Sequence, residues 1–174
     1  MPLATPRKKG AKTVARSYFD AIGDGDIEAM VRHWRPGGVD HIHGVAELRV
    51  PDGYREWFGS LFRAFPDFSI EVIDLLGAGE LAAVRWRGMG TFTGSGRFEG
   101  FSPTGARIEV EGCDMLTIRD ELIEANEAYL NGAELARQIG ALPPSGSLAD
   151  RGLTGAINAR TAATEMVRKV RARR

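Results

Sequence analysis

Three neighbouring residues, Asp40, His41 and His43, form the densest group of reactive side chains in the sequence. Because successive side chains of a strand point to opposite faces, His41 and His43 are predicted to share one face. One interpretation is a cavity histidine that transfers protons and is oriented by a carboxylate. A second is a metal shared by both histidines, but the sequence marks no third ligand, so no metal is expected. A third is a histidine that only packs or hydrogen-bonds at the rim.

Two acidic residues, Glu127 and Asp114, are further candidates for acid–base chemistry. Alternation places Glu127 on one strand face with Ala125 and Tyr129, and a small residue beside a tyrosine suits a cavity wall. Burial there would make Glu127 a general acid or base near neutral pH. The alternative is an outward Glu127, in a dimer surface or a salt bridge. Asp114 either points inward and pairs with Glu127, or is exposed opposite an arginine.

Aromatic and methionine residues recur at helical and strand spacing and are candidates for substrate binding. Most residues of this kind build a core, yet the pocket they imply is apolar and suits a polycyclic, steroid-like or terpenoid ligand. The candidates are Tyr18, Trp34, Trp57, Phe58, Phe62, Trp86 and Met89.

The elements that must position these side chains follow from hydrophobic periodicity. Asp26 is expected to cap the second of three N-terminal helices, and Pro36–Gly38 to end it. Helical spacing covers 12–22, 27–34, 54–65, 132–142 and 153–174, and strand character covers 39–45, 68–76, 81–94, 106–120 and 121–130. This order predicts an α+β fold: a curved antiparallel sheet wraps N-terminal helices into a cone with one open mouth, followed by an extra C-terminal helix.

The length of 174 residues suits one domain with a proper core. We expect a basic leader over 1–11, the cone domain over 12–144, and a Pro/Gly/Ser linker with a basic helical tail over 145–174. No apolar run approaches the roughly 18 residues that cross a bilayer, and no secretory signal is evident. The single cysteine, Cys113, excludes a disulfide framework. A cytoplasmic protein without a membrane segment is therefore predicted.

The net charge of zero hides an acidic body between two basic ends. Residues 17–150 hold 11 arginines against 22 acidic residues. Such a body repels phosphate, so nucleic acid is not an expected partner. The basic ends are interpreted as solvated tails, or as tails that fold back on the body or on a partner subunit. No phosphate-binding loop or dinucleotide fingerprint occurs, so no cofactor is expected.

Six stretches between about Tyr18 and Pro144 resemble a known family. They read YFDAIGDGDIEAM, HWRPGGVDHIHG, AFPDF, GTFTG, FEGFSPTGARIEVEG and IEANEAYLNGAELARQIGALPP. In this order they resemble the SnoaL-like polyketide cyclases of the nuclear transport factor 2-like superfamily. The resemblance implies a cone-shaped barrel that dimerises through the outer face of its sheet. It also implies a Tyr18 hydroxyl in the cavity and a catalytic aspartate after the last strand, where this chain has Asn131.

The leading hypothesis is a cofactor-independent enzyme that acts on a hydrophobic polyketide-, steroid- or terpenoid-like carbonyl or epoxide by acid–base catalysis. Glu127 and one of the two histidines would transfer protons, assisted by Asp40 or Asp114. Tyr18, Tyr129 and Asn131 would hold substrate oxygens. The alternative is a non-catalytic protein that binds a hydrophobic ligand in the cone, which Asn131 favours because an amide cannot abstract a proton. A weaker third hypothesis is an interaction protein that acts through its basic tail.

Overall fold

The computed structural model describes residues 9–171, apart from the side chains at positions 167 and 170. Most of the leader predicted over 1–11 lies outside these residues. The elements are α1 (Ala11–Gly23), α2 (Ile27–Arg32), β1 (Trp34–Ile42), β2 (Ala46–Arg49), α3 (Asp52–Ala64), β3 (Ser69–Ala78), β4 (Leu81–Thr91), β5 (Arg107–Arg119), β6 (Leu122–Leu130), α4 (Gly132–Gln138) and α5 (Leu148–Arg171).

The N-terminal helices form where the sequence repeats apolar residues every three or four positions. α1 buries Val14, Tyr18 and Ile22 and packs against β3, β4 and β5. The Asp26 side chain accepts a hydrogen bond of 2.9 Å from the backbone N–H of Ala29, which confirms its role as the cap of α2. The helices therefore cover one face of the sheet and place their aromatic stripes against it.

The six strands form one sheet in the order β2-β1-β6-β5-β4-β3. The α+β class, the curved sheet and the C-terminal helix are confirmed. The sheet is mixed rather than wholly antiparallel, because β1 runs parallel to β6 while the other neighbours are antiparallel. This parallel pair brings residue 40 beside residue 126, which the sequence order alone does not indicate.

The transition from α2 to β1 comes earlier than predicted. α2 ends at Arg32, and Trp34 already belongs to β1. The Pro36–Gly38 segment lies inside β1, at an irregularity of its pairing with β6. A Cβ at Gly38 would lie 3.0 Å from the carbonyl oxygen of Glu124, so the close approach of the two strands requires glycine there.

The C-terminal helix α5 begins at Leu148, five residues before the predicted start. Ser147 explains the difference, since its hydroxyl accepts a hydrogen bond of 3.1 Å from the backbone N–H of Asp150. Leu153, Ile157 and Met166 on this helix are exposed. No helix in the described range is both long enough and apolar enough to span a bilayer. The domain boundaries and the role of the tail stay predictions.

Candidate functional site

An apolar cavity of about 100 Å³ lies between α1, α3 and the inner face of the sheet. Four of the predicted binding residues line it, namely Tyr18, Trp57, Phe58 and Trp86. Further aromatic and aliphatic side chains from the helices, the strands and the loops complete most of the wall. The placement of these four side chains agrees with the sequence interpretation, while their role in binding stays a prediction.

Two carboxylates, Asp40 and Asp114, interrupt this apolar wall. They are 2% and 6% exposed, and Asn126, at 1%, lies between them. The amide nitrogen of Asn126 donates to Asp40 Oδ1 at 3.0 Å and to Asp114 Oδ2 at 2.7 Å. The indole N–H of Trp86 donates to Asp114 Oδ1 at 2.7 Å. One amide therefore bridges two buried acids, and one indole orients the second of them.

The strand register explains how residues so distant in sequence meet. Asp40 on β1 is paired with Asn126 on the parallel neighbour β6. Asp114 on β5 is paired with Ala128, two residues beyond Asn126 on the same strand face. Since side chains two positions apart share a face, all three polar side chains point inward.

Burial changes the ionisation of both acids. Loss of hydration raises the pKa of Asp114 from 3.8 to about 6, although hydrogen bonds from Trp86 and Asn126 favour its charged form. Burial also raises the pKa of Asp40 well above its ordinary value, and the nearby Asp114 charge raises it further. Both shifts favour the protonated form, and each carboxylate makes the ionisation of its neighbour less favourable, so the two acids titrate as a coupled pair.

Tyr18 contributes a second polar group to the cavity wall. Its hydroxyl is hydrogen-bonded to the hydroxyl of Tyr54, which the sequence interpretation missed. Burial raises the pKa of both phenols well above 10.0, and the Asp40 charge acts in the same direction, so both stay protonated. The predicted Trp34 packs edge-on against Tyr18 in the core and does not line the cavity.

The predicted inward orientation of Glu127 and Tyr129 is wrong. Their side chains lie on the outer face of β6, 47% exposed for Glu127, while Ala128 and Leu130 face the cavity. A bulge at Glu124 causes this, since Ile118 pairs with Ile123 but Thr117 pairs with Ala125. An extra residue shifts the alternation of side chains by one position, so residues after the bulge point to the face opposite to the one that strict alternation would give. The predicted pairing of Asp114 with Glu127 is therefore replaced by the bridge to Asp40.

Three other candidates also lie away from the cavity wall. Met89 is three positions from the inward Trp86 and so lies on the opposite face of β4. Phe62 packs beside Phe58 and Phe68 without lining the cavity. The Asn131 side chain caps α4 by accepting from the backbone N–H of Glu134 at 3.1 Å, so its place is structural.

His41, on β1, and His43, directly after the end of β1, lie on the same side of the sheet, as predicted, and this is the outer side. Glu127 Oε2 lies 3.4 Å from His41 Nδ1 and 2.6 Å from His43 Nε2. The two imidazole rings lie 4.1 Å apart, and the ring of Tyr129 stacks on His43 at 4.3 Å. These groups do not line the cavity. Their catalytic role stays a prediction that the geometry does not support.

Asn126 is the main residue that sequence reasoning missed. It follows the bulge at Glu124 and begins an inward series with Ala128 and Leu130. The sequence signal for this residue was an amide at alternate positions with small and apolar residues, a pattern that indicates a buried polar side chain. Its Oδ1 atom has no hydrogen-bond partner within residues 9–171, which leaves one acceptor for a proton donor.

Comparisons with known proteins agree with this architecture. The chain is similar in structure to AclR from Streptomyces galilaeus, with 23% identity, a TM-score of 0.67, and 91% of this chain and 96% of that one covered. It is similar to IdmH from Streptomyces antibioticus, with 24% identity, a TM-score of 0.62, and 75% and 98% covered. It is also similar to SalBIII, an epoxide hydrolase/cyclase-like enzyme, with 20% identity, a TM-score of 0.60, and 71% of this chain and 92% of that one covered. At these identities the likeness shows the nuclear transport factor 2-like fold alone.

Comparison with the sequences of curated proteins gives no match. The family model for the SnoaL-like polyketide cyclases matches residues 12–139, which include every strand and the helices α2, α3 and α4. This chain therefore belongs to the SnoaL-like polyketide cyclase family.

Proposed function

We propose that this protein is an acid–base enzyme that acts on a hydrophobic carbonyl or epoxide substrate with a polyketide-, steroid- or terpenoid-like skeleton. One observation carries the proposal: a single amide, from Asn126, joins two buried carboxylates at the wall of an apolar cavity. A buried pair of acids is costly to maintain for stability alone. Such a pair can supply an acid and a base side by side.

The roles of the two acids follow from their surroundings. Asp114, whose pKa is raised to about 6, is the general base, and Asp40, whose pKa burial and the Asp114 charge raise well above its ordinary value, is the general acid. Asn126 donates to Asp40 Oδ1, which leaves Oδ2 to carry the proton toward the substrate. With a ketone, Asp114 removes the α-proton while Asp40 protonates the oxygen. With an epoxide, Asp114 takes the proton of the attacking hydroxyl while Asp40 protonates the departing oxygen.

The wall of the cavity favours an uncharged substrate. Its polar members are two acids and a phenol, and it holds no arginine, lysine or histidine among the described residues. Phosphate or carboxylate groups would be repelled by Asp114 and would find no cationic partner. The cavity is smaller than the roughly 150 Å³ site that holds benzene in an engineered apolar core. A polycyclic substrate therefore requires the cavity to widen.

The loop over 92–106 is the segment that can widen it. Phe98 of this loop is buried and lines the cavity, while Glu99, Gly100 and Phe101 beside it are exposed. Trp57 Nε1 donates to Glu99 Oε1 at 2.7 Å and ties the loop to α3. Outward movement of this loop would enlarge the site without disturbing the strands that carry the acids.

One protein of the same fold, described as an epoxide hydrolase/cyclase-like enzyme, motivates the epoxide branch. SalBIII takes part in pyran ring formation in the polyether salinomycin. Ring closure by a hydroxyl on an epoxide needs a base for the nucleophile and an acid for the leaving oxygen. Asp114 and Asp40 offer this combination within one hydrogen-bonded group.

The test uses two probe reactions that do not require the natural substrate. Ring opening of a cyclic terpenoid epoxide is followed in heavy-oxygen water, and α-proton exchange of a hydrophobic cyclic ketone is followed in deuterium oxide. We expect Asp114→Asn and Asp40→Asn to lower the active reaction by about 10²- to 10⁴-fold. The matched control is Asp74→Asn, an exposed carboxylate paired with Arg85 on the outer face. Full activity in both site variants would overturn the proposal.

The second candidate function is a non-catalytic protein that binds a hydrophobic ligand. The observation that favours it is Asn131, whose side chain caps α4 where the family resemblance implies an aspartate. Native mass spectrometry of the purified protein, followed by denaturation, would release any bound molecule. An unaltered apolar ligand, together with no turnover of either probe, would favour this alternative.

A homodimer through the outer face of the sheet is also proposed, and the family resemblance carries it. Exposed apolar side chains on β3 and β4, such as Leu76 and Leu81, are compatible with a partner surface at the end of the sheet away from β1. The same native mass spectrum measures it, since a dimer would appear at twice the mass of the chain.

A further inference from the structure

We propose that His41, His43 and Glu127 form a binding site for a divalent transition metal, with Zn²⁺ the best match, on the outer face of the sheet. The site is separate from the cavity and does not depend on the proposed catalytic activity. The third ligand, which the sequence does not mark for the two histidines, is supplied by Glu127 on the neighbouring strand.

The geometry of the three donor atoms carries the proposal. One ring nitrogen of His41, one ring nitrogen of His43 and a carboxylate oxygen of Glu127 all lie within 4.8 Å of one another. Ligand atoms around a tetrahedral zinc ion lie roughly 3.4 Å apart, given bonds of about 2.1 Å. The distance from His41 Nδ1 to Glu127 Oε2 is already 3.4 Å. Small side-chain rotations would thus complete three corners of a tetrahedron.

The backbone places these donors independently of any metal. His41 is paired with Glu127 across the parallel β1–β6 ladder, and the backbone N–H of His43 donates to the carbonyl of Ala128 at 2.9 Å. The ring of Tyr129 stacks on His43 with an angle of 10° between their planes. Since the strands and the stacked ring restrict the side chains in advance, little ordering would be needed on binding.

The chemistry of the donor set selects the metal. Two imidazole nitrogens and one carboxylate suit zinc and its transition-metal neighbours, whereas Mg²⁺ and Ca²⁺ prefer oxygen ligands. His41, His43 and Glu127 are 42%, 36% and 47% exposed, so an ion can reach them and water can fill the fourth position. Glu47 on β2 is paired with His41, is exposed, and adds negative charge beside the site.

The outer site can be tested without an enzymatic assay. Zn²⁺ is titrated into the full chain, with any affinity tag removed, by calorimetry, and Co²⁺ serves as a spectroscopic substitute. We expect one ion per chain and the intense visible absorption of tetrahedral Co²⁺. His41→Ala, His43→Ala and Glu127→Gln should each lower the affinity at least about tenfold. The matched control is His33→Ala, since His33 bonds to Ser17 and to the carbonyl of Ala29 elsewhere in the fold.

Three outcomes would overturn the proposal. These are no binding to the wild-type chain, unchanged binding in a His41→Ala/His43→Ala double variant, and one ion for every two chains. Circular dichroism of each variant checks that a loss of metal binding is not caused by a loss of folding. Glu127→Gln keeps the size and shape of the side chain and removes only its charge. Loss of cavity activity in the Asp114→Asn variant would leave the metal result unchanged.

Discussion

The two faces of the β1–β6 strand pair carry reactive residues one position apart, in opposite surroundings. On the inner face, Asp40 and Asn126 are almost completely buried and bonded to each other. On the outer face, their neighbours His41 and Glu127 are nearly half exposed. Burial removes the water that would otherwise stabilise a charge, so the inner acids share one amide and acquire shifted pKa values. The outer groups stay in contact with water, which leaves them accessible to the proposed metal ion.

The largest expected effect separates two adjacent residues, Asn126 and Glu127. Asn126→Ala removes two hydrogen bonds to buried carboxylates, each worth about 1.5–3 kcal/mol. We expect it to lower the free energy of unfolding at pH 7 by about 3–5 kcal/mol. Glu127→Ala breaks only half-exposed ion pairs and should cost at most about 1 kcal/mol. Urea unfolding of both variants measures the difference, and equal losses would break the comparison.

The next effect is a pH dependence that only the inner face can produce. The pKa of Asp114 is raised from 3.8 to about 6, so the folded state holds its proton more tightly than the unfolded state does. The contribution of Asp114 to stability is therefore greatest below pH 4 and is lost as pH rises through about 6. The total from this residue is about 3 kcal/mol. Asp40, whose pKa is also raised, adds a decline of the same sign.

Asp114→Asn isolates this contribution, because the amide does not ionise. The groups that face Asp114 are Asp40 from β1, Asn126 from β6, Trp86 from β4 and Tyr18 from α1. We expect the stability of the variant relative to the wild type to increase between pH 4 and pH 7, in urea unfolding at several pH values. A constant difference would mean that Asp114 is not the buried acid described above.

A smaller effect concerns the hydrogen bond that orients Asp114. Trp86→Phe removes the indole N–H, which favours the charged carboxylate. The pKa of Asp114 should rise by about one unit, as expected for the loss of one such bond. The matched control is Trp57→Phe, which also lines the cavity but donates to the exposed Glu99. Carbon-13 NMR of labelled aspartate follows both titrations, and an equal response would assign the effect to cavity shape instead.

The fold was largely predictable because helical and two-residue periods depend on local sequence alone. Val14, Tyr18 and Ile22 already indicate the buried stripe of α1. The inner site was less predictable because it depends on pairing over long separations. Asp40 and Asn126 meet only through a parallel ladder, and a bulge at Glu124 exchanges the faces of β6. If side chains alternated strictly from the buried Ile123, Glu127 would point toward the cavity. In the structure Asn126 is the buried residue instead.

The smallest expected effect tests the outer face at Arg87, the neighbour of Trp86. Arg87 lies within ion-pair distance of Glu71, Glu109 and Glu111, with 2.8 Å between its Nη2 atom and Glu111 Oε1. Water and salt screen these charges, and holding long side chains in one geometry costs entropy. Arg87→Ala should therefore leave the urea midpoint almost unchanged, and less changed at high salt than at low salt. A loss as large as that of Asn126→Ala would show that charge networks, rather than burial, govern the strength of polar contacts on this sheet.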